Sequence, residues 1–252
     1  MDFVILAIFP WVSTIFVEIF KLSILPATLL YFGIPAAFLS WRKPSLIRKS
    51  LLFSLSFSIT ALFVLDYPAF LDNIWYVPNS LFRFLNSGIP IEDGIWMILW
   101  VYFVVICWEY FLDKDKNKTY FDKNTKYLLL TLGGLLTLFF ASFVFAPQYL
   151  HQNYFFLKLG IIFEIIPMVI VLVKFPRLIP KVIMLGAYFL MTAYLIERSG
   201  LKFGHWYYGG QHYLGTVQLL GNRLPWEEIV FFWCLGASAV ICWYEFFVDD
   251  RK

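Results

Sequence analysis

Apolar residues run along this chain in long unbroken stretches, and polar residues gather in the short segments between them. The stretches cover residues 3–20, 23–41, 50–70, 91–112, 127–146, 154–174, 182–199 and 225–247. Each is close to the roughly 20 residues a helix needs to cross about 30 Å of hydrocarbon. None alternates as a barrel strand would, and backbone polar groups in lipid must be satisfied within their own segment. The pattern therefore predicts an all-α integral membrane protein of about eight transmembrane helices, organised as two tandem parallel repeats of four.

The repeat is read from the chain's match to itself. Val105-Ile-Cys-Trp108 returns as Val240-Ile-Cys-Trp243, and Pro90-Ile-Glu92-Asp93 returns as Pro225-Trp-Glu227-Glu228. Trp75-Tyr76 returns as Trp206-Tyr207, with an acid nine residues before each Trp, Asp66 or Glu197. Pro44-Ser-Leu-Ile-Arg-Lys49 returns as Pro176-Arg-Leu-Ile-Pro-Lys181. The offsets run from 131 to 136, which divides the chain into copies at 1–126 and 127–252. Four helices per copy is an even number, so both copies cross in the same direction and are related by an axis along the membrane normal. Both acidic motifs then lie at one membrane face, as two half-sites across a central cleft.

Composition agrees with the pattern. Of 252 residues, 61% are apolar, 21% aromatic and 15% charged, against about 45–50% apolar and 25% charged in soluble domains. No separate soluble domain is left over. Met1-Asp2-Phe3 lacks the basic start of a cleavable signal peptide. Cys107, Cys234 and Cys242 fall inside predicted helices and read as small apolar residues rather than a disulfide frame. The net charge of +3 comes from loop asymmetry, so no nucleic-acid partner is expected. Arg42, Lys43, Arg48, Lys49, Lys114, Lys116, Lys118, Lys123, Lys126, Lys174, Arg177, Lys181, Arg251 and Lys252 fall on one face, against Lys21, Arg83, Arg198, Lys202 and Arg223 on the other. That bias predicts a multi-pass protein of the cell membrane with both termini cytoplasmic.

The candidate chemistry lies in six acids, Asp66, Glu92, Asp93, Glu197, Glu227 and Glu228. A lone Pro-x-Glu at a helix start is ordinary helix-end electrostatics, with Pro suited to the first turn and the acid complementing the macrodipole. Here the carboxyl pair occurs twice at equivalent positions, an intramembrane acid accompanies each pair, and Arg83, Arg198, Lys202 and Arg223 are too scattered to neutralise them. Adjacent carboxyls in a poorly hydrated cleft cannot all ionise, so one is held as an acid beside an ionised neighbour. That pairing offers a general acid and a general base together, suited to protonating a carbon–carbon double bond and later removing a proton.

Trp75, Tyr76, Trp206, Tyr207, Tyr208, Trp226, Phe231, Phe232 and Trp233 flank the acids. Aromatic faces attract cations without trapping a carbocation, although interfacial belts account for many such rings. His205 is a candidate to assist proton transfer or substrate contact, whereas His151 and His212 carry no expectation. Glu164, beside Pro167, has no clear counterpart in the first copy and reads equally as a ligand contact or a paired acid. Glu109 and Glu245, at helix ends, are expected to be solvated. There is no Gly-x-Gly-x-x-Gly in a strand–helix context, no histidine spacing for a metal centre, no paired Asp-x-x-x-Asp and no Gly-x-Ser-x-Gly. The remaining chemistry is acid–base work on an apolar substrate, with no cofactor and no metal.

These residues resemble the small membrane lycopene cyclases of bacteria, archaea and fungi, which carry a Pro-x-Glu-Glu/Asp motif in each of two homologous units. The match runs through Asp66, Trp75, Pro90, Glu92 and Asp93, then Glu197, Trp206, Tyr207, Tyr208, Pro225, Glu227, Glu228, Phe231 and Phe232, and spans both copies. The Glu-Asp version stands first here, the reverse of the family's order. The resemblance implies a cofactor-independent cyclase of the intramolecular-lyase type. A carboxylic acid would protonate the terminal double bond of a linear carotenoid ψ end group, a second double bond would attack the tertiary cation, and a carboxylate would remove a proton to leave an ionone-type ring. It further implies lycopene or a longer linear carotenoid as substrate, the lipid bilayer as solvent, and association with other enzymes of the carotenoid pathway. A hydratase using the same first cation, and a carotenoid-binding or transport protein, are the alternatives.

Overall fold

The computed structural model describes residues 1–85, 88–114 and 124–248; Lys116, Lys118, Lys123, Arg251 and Lys252 lie outside the described residues. Among the described residues, eight helices are long and apolar enough to cross a membrane: α1 (Asp2–Phe20), α2 (Ile24–Arg42), α3 (Pro44–Leu71), α4 (Ile91–Asp113), α5 (Thr125–Phe145), α6 (Phe155–Lys174), α7 (Pro176–Phe203) and α8 (Glu228–Phe247). The chain is an all-α, multi-pass membrane protein. Large apolar side chains such as Phe3, Ile8, Val144 and Val173 face outward, as lipid-facing residues do. The helices α3 and α7 start earlier than the apolar runs suggest, because Pro44 and Pro176 each open a short 3₁₀ turn and proline fits a first helical turn.

Prolines also shape three helix interiors. In α2, α3 and α6 a π-helical turn ends two residues before a proline: Leu29–Gly33 before Pro35, Leu62–Asp66 before Pro68, and Gly160–Ile165 before Pro167. Proline has no N–H for the carbonyl four residues back and clashes with it, and a widened turn relieves the clash. At Pro167 the orphaned acceptor is the Phe163 carbonyl, and Trp243 Nε1–H of α8 donates to it at 2.8 Å.

Two antiparallel hairpins, absent from the sequence reading, lie at the end of the bundle away from the termini. β1 (Arg83–Phe84) pairs with β2 (Ile89–Pro90), and β3 (Thr216–Leu219) pairs with β4 (Asn222–Pro225). In the second, Leu220 and Gly221 both hold positive φ, 51° and 77°, as a two-residue hairpin turn requires. Each hairpin delivers its strand onto the Pro-x-acid segment that opens α4 or α8, so the hairpins set where the acids enter the bundle.

The copies interlock. The α1 helix of the first copy packs on α7 of the second, and α5 of the second packs on α3 of the first. Tyr31 Oη joins three helices, meeting Thr14 Oγ1 at 2.7 Å and Ser199 Oγ at 2.9 Å. The α4 and α8 helices meet in the middle and are the most buried of the eight. At the terminal end, the expectation for Glu109 and Glu245 is corrected. Both are buried; Glu109 pairs with buried Lys49 at 2.6 Å and accepts from Tyr244 Oη, and Glu245 accepts from Trp108 Nε1–H at 2.5 Å. An isolated charge could not remain at that depth, and partners from other helices remove the need for water.

Candidate functional site

A cavity of about 170 Å³ lies between the copies. Cavities of about 150 Å³ admit a benzene-sized molecule, so this one takes a six-membered ring or the folded tip of a chain. Asp66 of α3, Asp93 of α4, Glu164 of α6, Glu197 of α7 and Glu228 of α8 line it, with walls that include Trp75, Trp96, Trp100, Trp206, Tyr208, Phe232 and Trp243. Four of the six expected acids therefore converge on one aromatic-walled space.

Glu92 and Glu227 do not reach it. Glu92 is buried and turned into its loop, where Oε2 accepts from Ser80 Oγ–H at 2.6 Å and Oε1 from Leu81 N–H at 2.7 Å. Glu227 Oε1 accepts from Leu214 N–H at 2.6 Å. These first acids of the two motifs fasten the loops that precede α4 and α8. The second acids, one residue on and about 100° around the helix, turn into the cavity.

The half-sites are built alike and wired differently. In the first, Asp66 and Asp93 line the cavity close to each other with Trp75 beside them, and Oδ2 of each is buried without a hydrogen-bond partner. Two carboxyls so close and so deep cannot both ionise, so one holds a proton. In the second, Tyr208 takes the place of Val77. Its hydroxyl donates to Glu197 Oε1 at 3.0 Å and also contacts Glu228, so a phenol bridges the two carboxyls. Burial, with the two carboxylates beside it, pushes Tyr208 well above the usual phenol range and keeps that donor protonated. Trp206 Nε1–H donates to the same Glu197 oxygen at 2.8 Å. The indole lies flat against Gly200, one turn beyond Glu197, where an added Cβ would stand only 2.2 Å from the ring. Arg198 and Lys202 engage Glu18 instead, at 3.1 and 2.7 Å. Among the described residues none of the five cavity acids has a Lys or Arg ion-pair partner.

The remaining expected residues separate. Trp75, Trp206, Tyr208 and Phe232 line the cavity. Tyr76 and Tyr207 pair with each other outside it, and Trp226 is half exposed with its backbone N–H on the Gly215 carbonyl. Phe231 is buried against Gly160. His205 is buried, and its Nε2–H donates to the Leu22 carbonyl at 2.9 Å. Trp96 and Trp100 escaped the sequence reading although Asp93, Trp96 and Trp100 follow helical spacing along one face of α4. No family model, curated protein or solved structure matches the chain.

Proposed function

We propose that the protein is a carotenoid cyclase of the lycopene cyclase type, closing a ring on a linear ψ end group by acid–base chemistry without a cofactor. The observation that carries this reading is the convergence of two carboxyl half-sites, one on each copy, in a single aromatic-walled cavity within the membrane-spanning bundle. A cavity carboxyl kept protonated by its neighbour can lend that proton to the terminal double bond, whose π electrons form the new C–H bond. A second double bond of the chain then supplies its electrons to the tertiary cation and closes the ring. A carboxylate takes the proton that the ring cation sheds, so no oxidant or reductant is consumed. Indole and phenyl faces stabilise the cation and offer it no nucleophile. The substrate proposed is lycopene or a longer linear carotenoid, taken from the bilayer one end at a time, with association with other carotenoid-pathway enzymes as the expected setting.

The charge pattern supports a cell-membrane protein with both termini cytoplasmic. Arg42, Lys43, Arg48, Lys114, Lys126, Lys174, Arg177 and Lys181 lie toward the terminal end, against Lys21, Arg83, Lys158, Arg198, Lys202 and Arg223 at the hairpin end.

Expression in a lycopene-making host, with products separated by chromatography and weighed by mass spectrometry, tests the reading. A cyclic product has the mass of lycopene. A product heavier by water would instead assign a hydratase, and bound but unchanged lycopene would assign a carrier.

A further inference from the structure

Of the five acids lining the cavity, Glu164 is the one that the duplication leaves unmatched. Counting back from Pro167 to Pro35, or from the π turn at Gly160 to that at Leu29, its counterpart is Phe32 or Gly33, neither of which can ionise. Asp66 pairs with Glu197 and Asp93 with Glu228 in that scheme. Glu164 also lies deeper. It stands nine residues into α6, about 14 Å along the helix axis, whereas Asp93 and Glu228 are within the first three residues of α4 and α8.

The side chain is held ready rather than satisfied. Its Oε2 is buried, and among the described residues nothing hydrogen-bonds to it. The π turn that places it is created by Pro167 and pinned by the Trp243 indole on the Phe163 carbonyl. Asp66 and Asp93 likewise each leave Oδ2 unpartnered, whereas Glu197 Oε1 is engaged by both Trp206 and Tyr208. Glu228 lies within electrostatic reach of Glu164 and touches Tyr208, which leads to Glu197.

Resting on the cyclase reading above, we propose that Glu164 is the specificity-determining carboxylate: it accepts the proton lost by the ring cation, and its depth decides which C–H bond breaks. With no partner for a charge at that depth, Glu164 rests as the neutral acid. It passes its proton to the Glu228 carboxylate left when Glu228 protonates the substrate. The ring cation then gives a proton to the Glu164 carboxylate, while the electron pair of that C–H bond becomes the ring double bond. Which neighbouring carbon loses its hydrogen fixes which ring isomer forms. Glu228 and Glu164 then both carry the protons they began with, and no bulk water is needed.

The test uses E164Q and E164D in the full chain, expressed in a lycopene-making host, with ring isomers quantified by chromatography and assigned by NMR. E164Q is expected to lower ring formation by about 10²-fold or more, the scale of a positioned base. E164D keeps the carboxylate but withdraws it by one methylene, so it should recover turnover with a changed isomer ratio or a new isomer. Wild-type rate in E164Q, an E164D ratio identical to wild type, or an E164D as inactive as E164Q would each overturn the assignment. D93N and E228Q run alongside: if they abolish ring formation while E164Q and E164D match wild type, only the role of Glu164 fails, and if they convert lycopene normally, the cyclase reading itself fails.

Discussion

Tyr76 and Tyr207 exchange both backbone hydrogen bonds, at 2.9 and 3.0 Å, and their ring centroids lie 5.2 Å apart. The two are repeat equivalents, so each residue pairs with its own image. An antiparallel bridge is itself two-fold symmetric, and the axis relating the copies therefore passes between these tyrosines. The preceding residues, Trp75 and Trp206, both turn into the cavity, which makes the bridge the tie that spaces the two aromatic walls. Replacing Tyr207 by Ala removes the ring pair, worth about 0.5–1.5 kcal/mol beyond simple burial. Thermal unfolding in detergent should show a stability loss of at least that size, and an unshifted transition would deny the bridge its role.

The two acids of each motif should respond differently to the same chemical change. D93N or E228Q removes a cavity carboxyl and should cut conversion by about 10²–10⁴-fold, the range for loss of a positioned acid or base, while pigment stays bound. E92A or E227A removes a loop fastener and leaves backbone donors such as Leu81 N–H and Leu214 N–H without partners. That costs about 1–3 kcal/mol of stability and should reduce conversion far less per folded molecule. Equal losses of conversion in the two sets would contradict the division.

Much of this was legible from the chain. Apolar runs of helical length gave the spans, because that signal is local in sequence; the recurrence of Trp75 as Trp206 and of Pro90 as Pro225 is a match of the chain to itself. Which acid of each pair faces the cavity was not legible: the choice is made by Ser80, Leu81 and Leu214, donors on loops whose course no periodicity reveals. The same limit applies to Glu109 and Glu245, whose partners Tyr244 and Trp108 are 135 and 137 residues away. The hairpins are too short to announce themselves by alternation, although Leu220-Gly221 followed by Asn222 carried a turn signal. Asp93, Trp96 and Trp100 were readable as one helix face once the acid was known to point inward.

Gly200 supports the cavity without lining it. A side chain there would collide with the Trp206 ring, which must lie flat for its N–H to reach Glu197. Gly200→Ala should cost about 1–3 kcal/mol as an overpacked contact and should also lower conversion. Trp206→Phe, which removes the N–H without the clash, should lower conversion with a smaller stability loss. Fluorescence of the indole and product yield measure the two effects. An active G200A with unmoved Trp206 emission would show that the contact can be relieved elsewhere.

At the opposite end of the bundle, Lys49 and Glu109 form a buried pair 2.6 Å apart, with Lys49 also over the Tyr244 ring at 5.4 Å. Removing one member of a buried pair strands the other, at about 3–5 kcal/mol, whereas removing both with well-packed apolar groups is often close to neutral. K49M should therefore unfold at markedly lower temperature than the double variant K49M/E109L. A double variant less stable than K49M would mean that Glu109 is held chiefly by Tyr244 rather than by the lysine.

His205 ties the end of α7 to the turn after α1 by donating to the Leu22 carbonyl. Burial is the larger influence on this ring and lowers its pKa below the ordinary 6.5, against the opposing pull of the carbonyl. The folded protein thus resists a proton that the unfolded chain accepts. Above the unfolded value both states hold a neutral imidazole and nothing is lost. As the pH falls below it and through the lowered folded value, the unfolded state gains the proton first and stability declines. His205→Gln keeps a neutral donor for the Leu22 carbonyl and cannot titrate. Between about pH 7.5 and about pH 5, on either side of the ordinary histidine value, H205Q should lose less stability than wild type, measured as the shift in thermal midpoint in detergent. If both proteins lose the same amount, the acid sensitivity of the bundle belongs to other groups and the histidine is only a tether.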